Sequence, residues 1–196
     1  MRLVVGARAP TNYTLLWDTP FTYKRDFIGL QQVCRFWCNV VIQTPSLWNN
    51  FKDGVPSIQW CRFRHVSVSL SIFVMSDPNI VGFLWSPTSR IERLHWDQLG
   101  IGDVERYSKY TAPRLCNLFL RAQHHTGWRE YTLFGAHTVA LRRLALHCFH
   151  TLPKNNFANL RHLELAHGSG FDPDPVLHWL AASPLIENLV LWQTIY

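Results

Sequence analysis

The side chains here best suited to chemistry are histidines, cysteines and paired acids, and their spacing decides what they can do. His147-Cys148-x-His150 is the densest group of metal-type ligands, and Cys34-x-x-x-Cys38 places two sulfurs on one helical face. Neither has a second half at the spacing a zinc site needs, so no metal is expected. A nucleophile needs a base and a characteristic setting. There is no Gly-x-Ser-x-Gly, and Gly168-Ser169-Gly170 reads as a turn. Gly100-Ile101-Gly102 lacks the following glycine and lysine of a phosphate cradle. Asp172-Pro173-Asp174-Pro175 offers two carboxylates, but an acid before a proline at the head of an apolar stretch is a helix cap. No catalytic residue and no cofactor follow from these groups, and the chemistry expected is that of binding.

The bulk properties agree with a folded binding protein. Hydrophobic residues make up 47% of the 196 and charged residues 16%, a balance that argues against disorder. Nine Trp supply large apolar bodies of the kind that fill cores and anchor interfaces. The net charge of +6 would suit nucleic acid if it were clustered. It is scattered instead, with only Lys24-Arg25, Arg142-Arg143 and the Arg62/Arg64 pair around Phe63 as local groups, so nucleic-acid binding ranks last among the readings. Five Cys, an odd number without regular spacing, do not make a secreted disulfide framework, so reduced thiols and an intracellular place, cytoplasmic or nuclear, are expected. Leu3-Val4-Val5 is too short for a signal-peptide core, and the apolar stretch from Val66 to Met75 stops at Ser76-Asp77-Pro78, short of the ~20 residues that span a bilayer. No membrane partner is expected.

Three segments must position whatever binds. Residues 1–25 carry no steady period, are broken by Pro10 and Pro20, and read as irregular. From Asp26, a candidate cap, Phe27, Leu30, Val33, Cys34, Trp37, Val40 and Val41 recur at three- and four-residue steps, predicting a helix that ends at Thr44-Pro45. Ser46-Leu47-Trp48 follows as a short turn, and Trp37 and Trp48 are read as packing in the core. Residues 26–53 thus form a helical segment. Residues 54–196 repeat apolar-x-x-apolar-x-apolar, as Phe63/Val66/Val68, Ile91/Leu94/Trp96, Leu115/Leu118/Leu120, Leu141/Leu144/Leu146, Leu160/Leu163/Leu165 and Ile186/Leu189/Leu191. The middle residues are 28, 24, 26, 19 and 26 apart, straddling the length of a leucine-rich repeat.

The last two apolar residues of each copy lie two apart and share one face of a strand. One such strand cannot bury that face alone, so the copies are expected to stack as a parallel ladder with outer return segments. Asp77-Pro78 and Asp174-Pro175 would start return helices, the second continuing through Val176, Leu177 and Leu180 to a stop at Ser183-Pro184. The fold class predicted is α/β, a short helical segment followed by an irregular leucine-rich-repeat solenoid. Residues flanking the inward leucines then point outward in aligned columns. From these columns Arg93, His95, Phe119, Arg121, Arg143, His147, His162, Glu164 and Trp192 are the candidate target-binding residues, with Phe119 and Trp192 expected as exposed anchors.

Val33-Cys34-Arg35-Phe36-Trp37, then Val40-Val41 and Thr44-Pro45-Ser46-Leu47-Trp48, resembles the second half of the F-box-like segment of fungal F-box and leucine-rich-repeat proteins. Ala112-Pro113-Arg114-Leu115, Asn159-Leu160-Arg161-His162-Leu163 and Ser183-Pro184-Leu185-Ile186-Glu187-Asn188-Leu189 are similar to repeat starts in the same proteins, so the likeness runs over roughly residues 26–196. It implies a substrate-recognition subunit of a cullin-RING ubiquitin ligase, without catalytic residues of its own. A Skp-type adaptor would be gripped through Phe27, Val33, Phe36 and Trp37, and an unknown target protein held on the repeats. Residues 1–25 depart from the family, having no leucine-proline pair and glutamate-bearing helix. That departure implies either a truncated product or a paralogue that keeps the repeats without adaptor binding.

Overall fold

Five of the six apolar copies become neighbouring strands in the computed structural model, which describes residues 2–6, 29, 31–44, 50–52, 70–74, 91–100, 110–122, 131–136, 139–149, 151–166 and 173–192. The described strands are β1 (Arg2–Gly6), β2 (Asn50–Lys52), β3 (Leu70–Val74), β4 (Ile91–Leu99), β5 (Asn117–Ala122), β6 (Arg143–His147), β7 (His162–Ala166) and β8 (Asn188–Trp192). They form one parallel sheet in the order β1-β8-β7-β6-β5-β4-β3-β2. The helices are α1 (Arg35–Gln43) and α2 (Pro173–Ala182). The fold class is α/β.

The register follows the repeat. Leu94, Leu118, Leu144, Leu163 and Leu189 pair in succession, as do Trp96, Leu120, Leu146, Leu165 and Leu191 two residues on. All are buried except Leu191, which is partly buried against the same core. The leading residues Ile91, Leu115, Leu141, Leu160 and Ile186 are buried with them. Turns bring three of these in: the N–H of Leu115 donates to Ala112 O, that of Leu160 to Phe157 O and that of Ile186 to Ser183 O, at 3.1, 3.0 and 3.2 Å. Pro113 and Pro184 occupy the second turn position, where their fixed φ is already suitable.

A shared carbonyl then stitches each strand start to the previous one. Cys116 O accepts from the N–H groups of Arg142 and Arg143, Arg142 O from those of Arg161 and His162, and Arg161 O from those of Glu187 and Asn188, all at 2.8–3.0 Å. The Asn155 side chain does similar work on the return side, accepting from Leu133 N–H at 2.6 Å and donating to Leu133 O at 2.7 Å while buried. Helix α2 closes the last return with Val176, Trp179 and Leu180 turned to the core, Trp179 meeting Phe157 edge-on at 5.0 Å.

The structure departs from the sequence reading at several places. Residues 2–6, expected irregular, are a strand, because the free edge of β8 offers Leu3-Val4-Val5 a parallel partner that no local period reveals. The sheet therefore extends beyond residues 54–196, at β1 and also at β2. The aligned residue of β3 is Ile72, paired with Leu94, whereas Val66 was expected there; Phe63, Val66 and Val68 lie outside the described residues. The helix expected from Asp26 is interrupted, since Cys34 is extended (φ −164°, ψ 168°) between helical 31–33 and α1. Asp26, Phe27, Leu30, Trp48 and Asp77 lie outside the described residues. α1 does end before Thr44-Pro45, with Thr44 Oγ1 donating to Val40 O at 2.7 Å. Helix α2 begins at Pro173, so Asp174 sits in its first turn instead of capping it, where its charge still favours the N-terminal end. Leu177 is exposed because Trp179 takes the inward direction.

Leu144→Ala should destabilise by roughly 2–5 kcal/mol, since the side chain is buried between like neighbours. Leu177→Ala on the exposed side of α2 should change stability by well under ~1 kcal/mol. Urea denaturation of both variants checks this, and equal midpoints would refute the register.

Candidate functional site

The leucines occupy one side of the sheet, so the alternate positions form columns on the other. Arg93, Asn117, Arg143, His162 and Asn188 stand in one row, paired strand to strand. His95, Phe119, Ala145, Glu164 and Val190 form the next, and Arg121, His147, Ala166 and Trp192 the third.

The middle of this face is closed. Phe119 was expected as an exposed anchor; it is 2% exposed, stacked on the His95 ring at 4.0 Å and 11° and meeting His147 edge-on at 4.7 Å. His95 and His147 are themselves buried, as are Ala145 and Ala166, so these candidates do not line an open surface. The cause is geometric: side chains repeating at the ~4.8 Å strand spacing are near ring-stacking distance, so aromatic and imidazole groups on adjacent strands bury one another. Small side chains at 145 and 166 leave room for the rings beside them.

The polar groups around this cluster are paired. His147 Nε2 lies 3.1 Å from Glu164 Oε1, and because a carboxylate only accepts, Nε2 carries the proton. Arg121 reaches Asp97 at 3.5 Å. Asp97 was not among the sequence candidates; the signal was there, an acid and a base two residues past the aligned His95 and Phe119 of neighbouring copies. Arg121 also holds the Cys148 side chain, opposing the burial that pushes that thiol up. His95 is held down to about 3 by burial first, then by His147 and Arg121, so it is neutral at ordinary pH.

The row beginning at Arg93 remains accessible. Arg143 is exposed, while Arg93, Asn117, His162 and Asn188 are half-buried. Asn188 Nδ2 donates to His162 Nδ1 at 2.9 Å, and burial followed by the Arg143 charge lowers the His162 pKa. Behind the row, Arg161 and Glu187 form an exposed ion pair at 2.6 Å. Trp192, the second expected anchor, is half-buried at the end of β8.

A second apolar feature lies on the helical segment. Val33, Phe36 and Trp37 are 66%, 67% and 43% exposed, with the Phe36 and Trp37 rings edge-on at 5.7 Å. Trp37 was expected in the core and is partly exposed, one turn before Val41, the buried residue on the same side of α1. Phe27, their fourth candidate companion, lies outside the described residues. No group of three or more His, Cys, Asp or Glu in metal-binding arrangement and no helix long and apolar enough to cross a membrane occur among the described residues. Cys34, Cys38, Cys116 and Cys148 carry no disulfide. No family model, curated protein or solved structure matches the chain.

The buried imidazole sets a pH dependence whose sign is fixed. His95 binds a proton less readily folded than unfolded, so its contribution is full above about pH 6.5 and is lost as pH falls from there toward 3. Between pH 7.5 and 4.5 the wild type should lose ~2.5 kcal/mol more stability than His95→Phe, which keeps the stack without the titration. Urea midpoints at the two pH values measure it, and parallel losses would place the titration elsewhere.

Proposed function

We propose that this chain is a leucine-rich-repeat recognition protein that holds a target protein on the sheet face opposite its leucines, as the substrate-recognition subunit of a cullin-RING ubiquitin ligase. The observation that carries target recognition is the in-register ladder, which lines up Arg93, Arg143, His162, Glu164 and Trp192 on one face over a closed His95/Phe119/His147 centre. Rigid, aligned side chains with aromatic and arginine groups suit protein binding, because little conformational freedom is lost on contact. Such a receptor would contribute proximity, raising the local concentration of the target near the transferring enzyme.

The ligase part of the reading rests on the likeness of residues 33–48 to an F-box-like segment and on the exposure of Val33, Phe36 and Trp37. Exposed large apolar groups side by side on a short helix are what an adaptor would cover. A scaffold without a ligase is the second reading, favoured by one observation: Arg2–Gly6 is built into the sheet beside β8, where the family has an adaptor-binding helix at the front of its F-box.

Co-purification of the chain with a Skp-type adaptor separates the two. Capture that is lost in Phe36→Ala/Trp37→Ala supports the ligase receptor; no capture by a chain of unchanged melting temperature leaves the scaffold. On either reading Arg143→Glu should weaken target binding with the melting temperature unchanged. A lowered melting temperature with unchanged binding would remove Arg143 from the interface.

A further inference from the structure

We propose that the row Arg93–Asn117–Arg143–His162–Asn188 is a binding track for an extended acidic peptide segment of the target. This deepens the reading of the sheet face as a target-binding surface and rests on it.

The row crosses five adjacent strands, β4 to β8, with each member paired in register to the next. Every one of its side chains carries N–H donors, and none is a carboxylate. Four strand spacings of ~4.8 Å make it about 19 Å long. An extended peptide covers that length in roughly six residues, with alternate side chains on one side about 6.7 Å apart, so about three carboxylates can face the row. Arg143 and Arg93 offer planar forks that match a carboxylate two bonds at a time. Burial first, and then the charge of Arg143 beside it on the row, lowers the His162 pKa, while Glu187 and Arg161 act on it in opposite directions.

A neighbouring charge selects the class of anion. Glu164 lies two residues beyond His162 on β7, in the next column of the same face. A continuous polyphosphate laid along the row would pass beside this carboxylate. A peptide has discrete charges, and its backbone N–H groups can face it. This favours an acidic protein segment over a nucleic acid.

The test is fluorescence anisotropy of the full chain with a short dye-labelled peptide of alternating Glu and Ser, beside the same peptide with Gln for Glu and an oligouridine of equal charge. The Glu peptide should bind, more weakly as salt rises, and lose about tenfold in affinity, ~1.4 kcal/mol, in Arg143→Glu and in Arg93→Glu. Arg114→Glu makes the same charge change on an exposed turn residue outside the row, and should stay within about twofold of wild type. An equal loss in Arg114→Glu, equal binding of the Gln peptide, or tighter binding of oligouridine overturns the proposal. A random-peptide display panel separates its failure from that of the wider reading. Selected peptides without excess acid that still require Arg143 would end the acidic class and leave the face a target-binding surface, whereas peptides rich in Asp and Glu that require Arg143 support the proposal.

Discussion

A five-residue strand with leucines on one side has no way to bury that side by itself. Each copy therefore depends on the next for its apolar contacts and for its backbone hydrogen bonds, and the parallel in-register ladder follows from that mutual need. The shared carbonyls of Cys116, Arg142 and Arg161 make the dependence local, because each starts the following strand at a fixed offset from its own. The offset then sets every column on both faces. Where copies vary in length, from 19 to 26 residues between Leu118 and Leu189, the variation is absorbed in the returns, which differ from helix α2 to the Asn155 clamp.

Ladders have ends, and an end is an unpaired row of backbone donors and acceptors beside an uncovered apolar layer. At one end the chain answers with its own first strand: β1 pairs residue for residue with β8, from Arg2 against Asn188 to Gly6 against Trp192. The partner is almost the full chain length away. That contact joins the segment before the helices to the last repeat, making the N-terminal residues part of the sheet.

This geometry also explains which features were legible in sequence. The register of Leu94, Leu118, Leu144, Leu163 and Leu189 could be read from spacing alone because period-two burial leaves its mark on each copy separately. Strand β1 could not, since a short Val-rich run becomes a strand only through its remote partner. Burial of His95, Phe119 and His147 escaped for a related reason: alternation assigns them to the outward face, but only the contacts between strands show three rings closing over one another. Trp37 and Leu177 were misplaced because helical spacing gives a face but not how far along it the cover extends: Trp37 shares a side of α1 with buried Val41 yet stays partly exposed, and on α2 Trp179 is buried where Leu177 is not. The row from Arg93 to Asn188 was visible as a column, while its uniform donor character emerged once the strands were aligned.

A ladder places its outward groups on parallel lines, and parallel lines do not converge. Chemistry on a substrate needs several groups within hydrogen-bonding reach of one atom, whereas recognition of an extended partner needs groups repeated along its length. On this face polar side chains pair between neighbouring regular strands, as His147 with Glu164 and Asn188 with His162, and gather in a larger group where the ladder is irregular. The β4–β5 register shifts between Trp96 and Leu99, and Cys148 leaves β6 with a left-handed backbone (φ 62°), a conformation of appreciable cost for a residue with a side chain. Asp97, Arg121 and Cys148 lie together beside those two irregularities. The group so formed is an ion pair holding a thiol whose pKa burial has raised, so it braces the end of the strands and holds no activated nucleophile. The regular part of the face keeps its lines straight, from Arg93 through Arg143 to Asn188, and that straightness is what an extended chain can read.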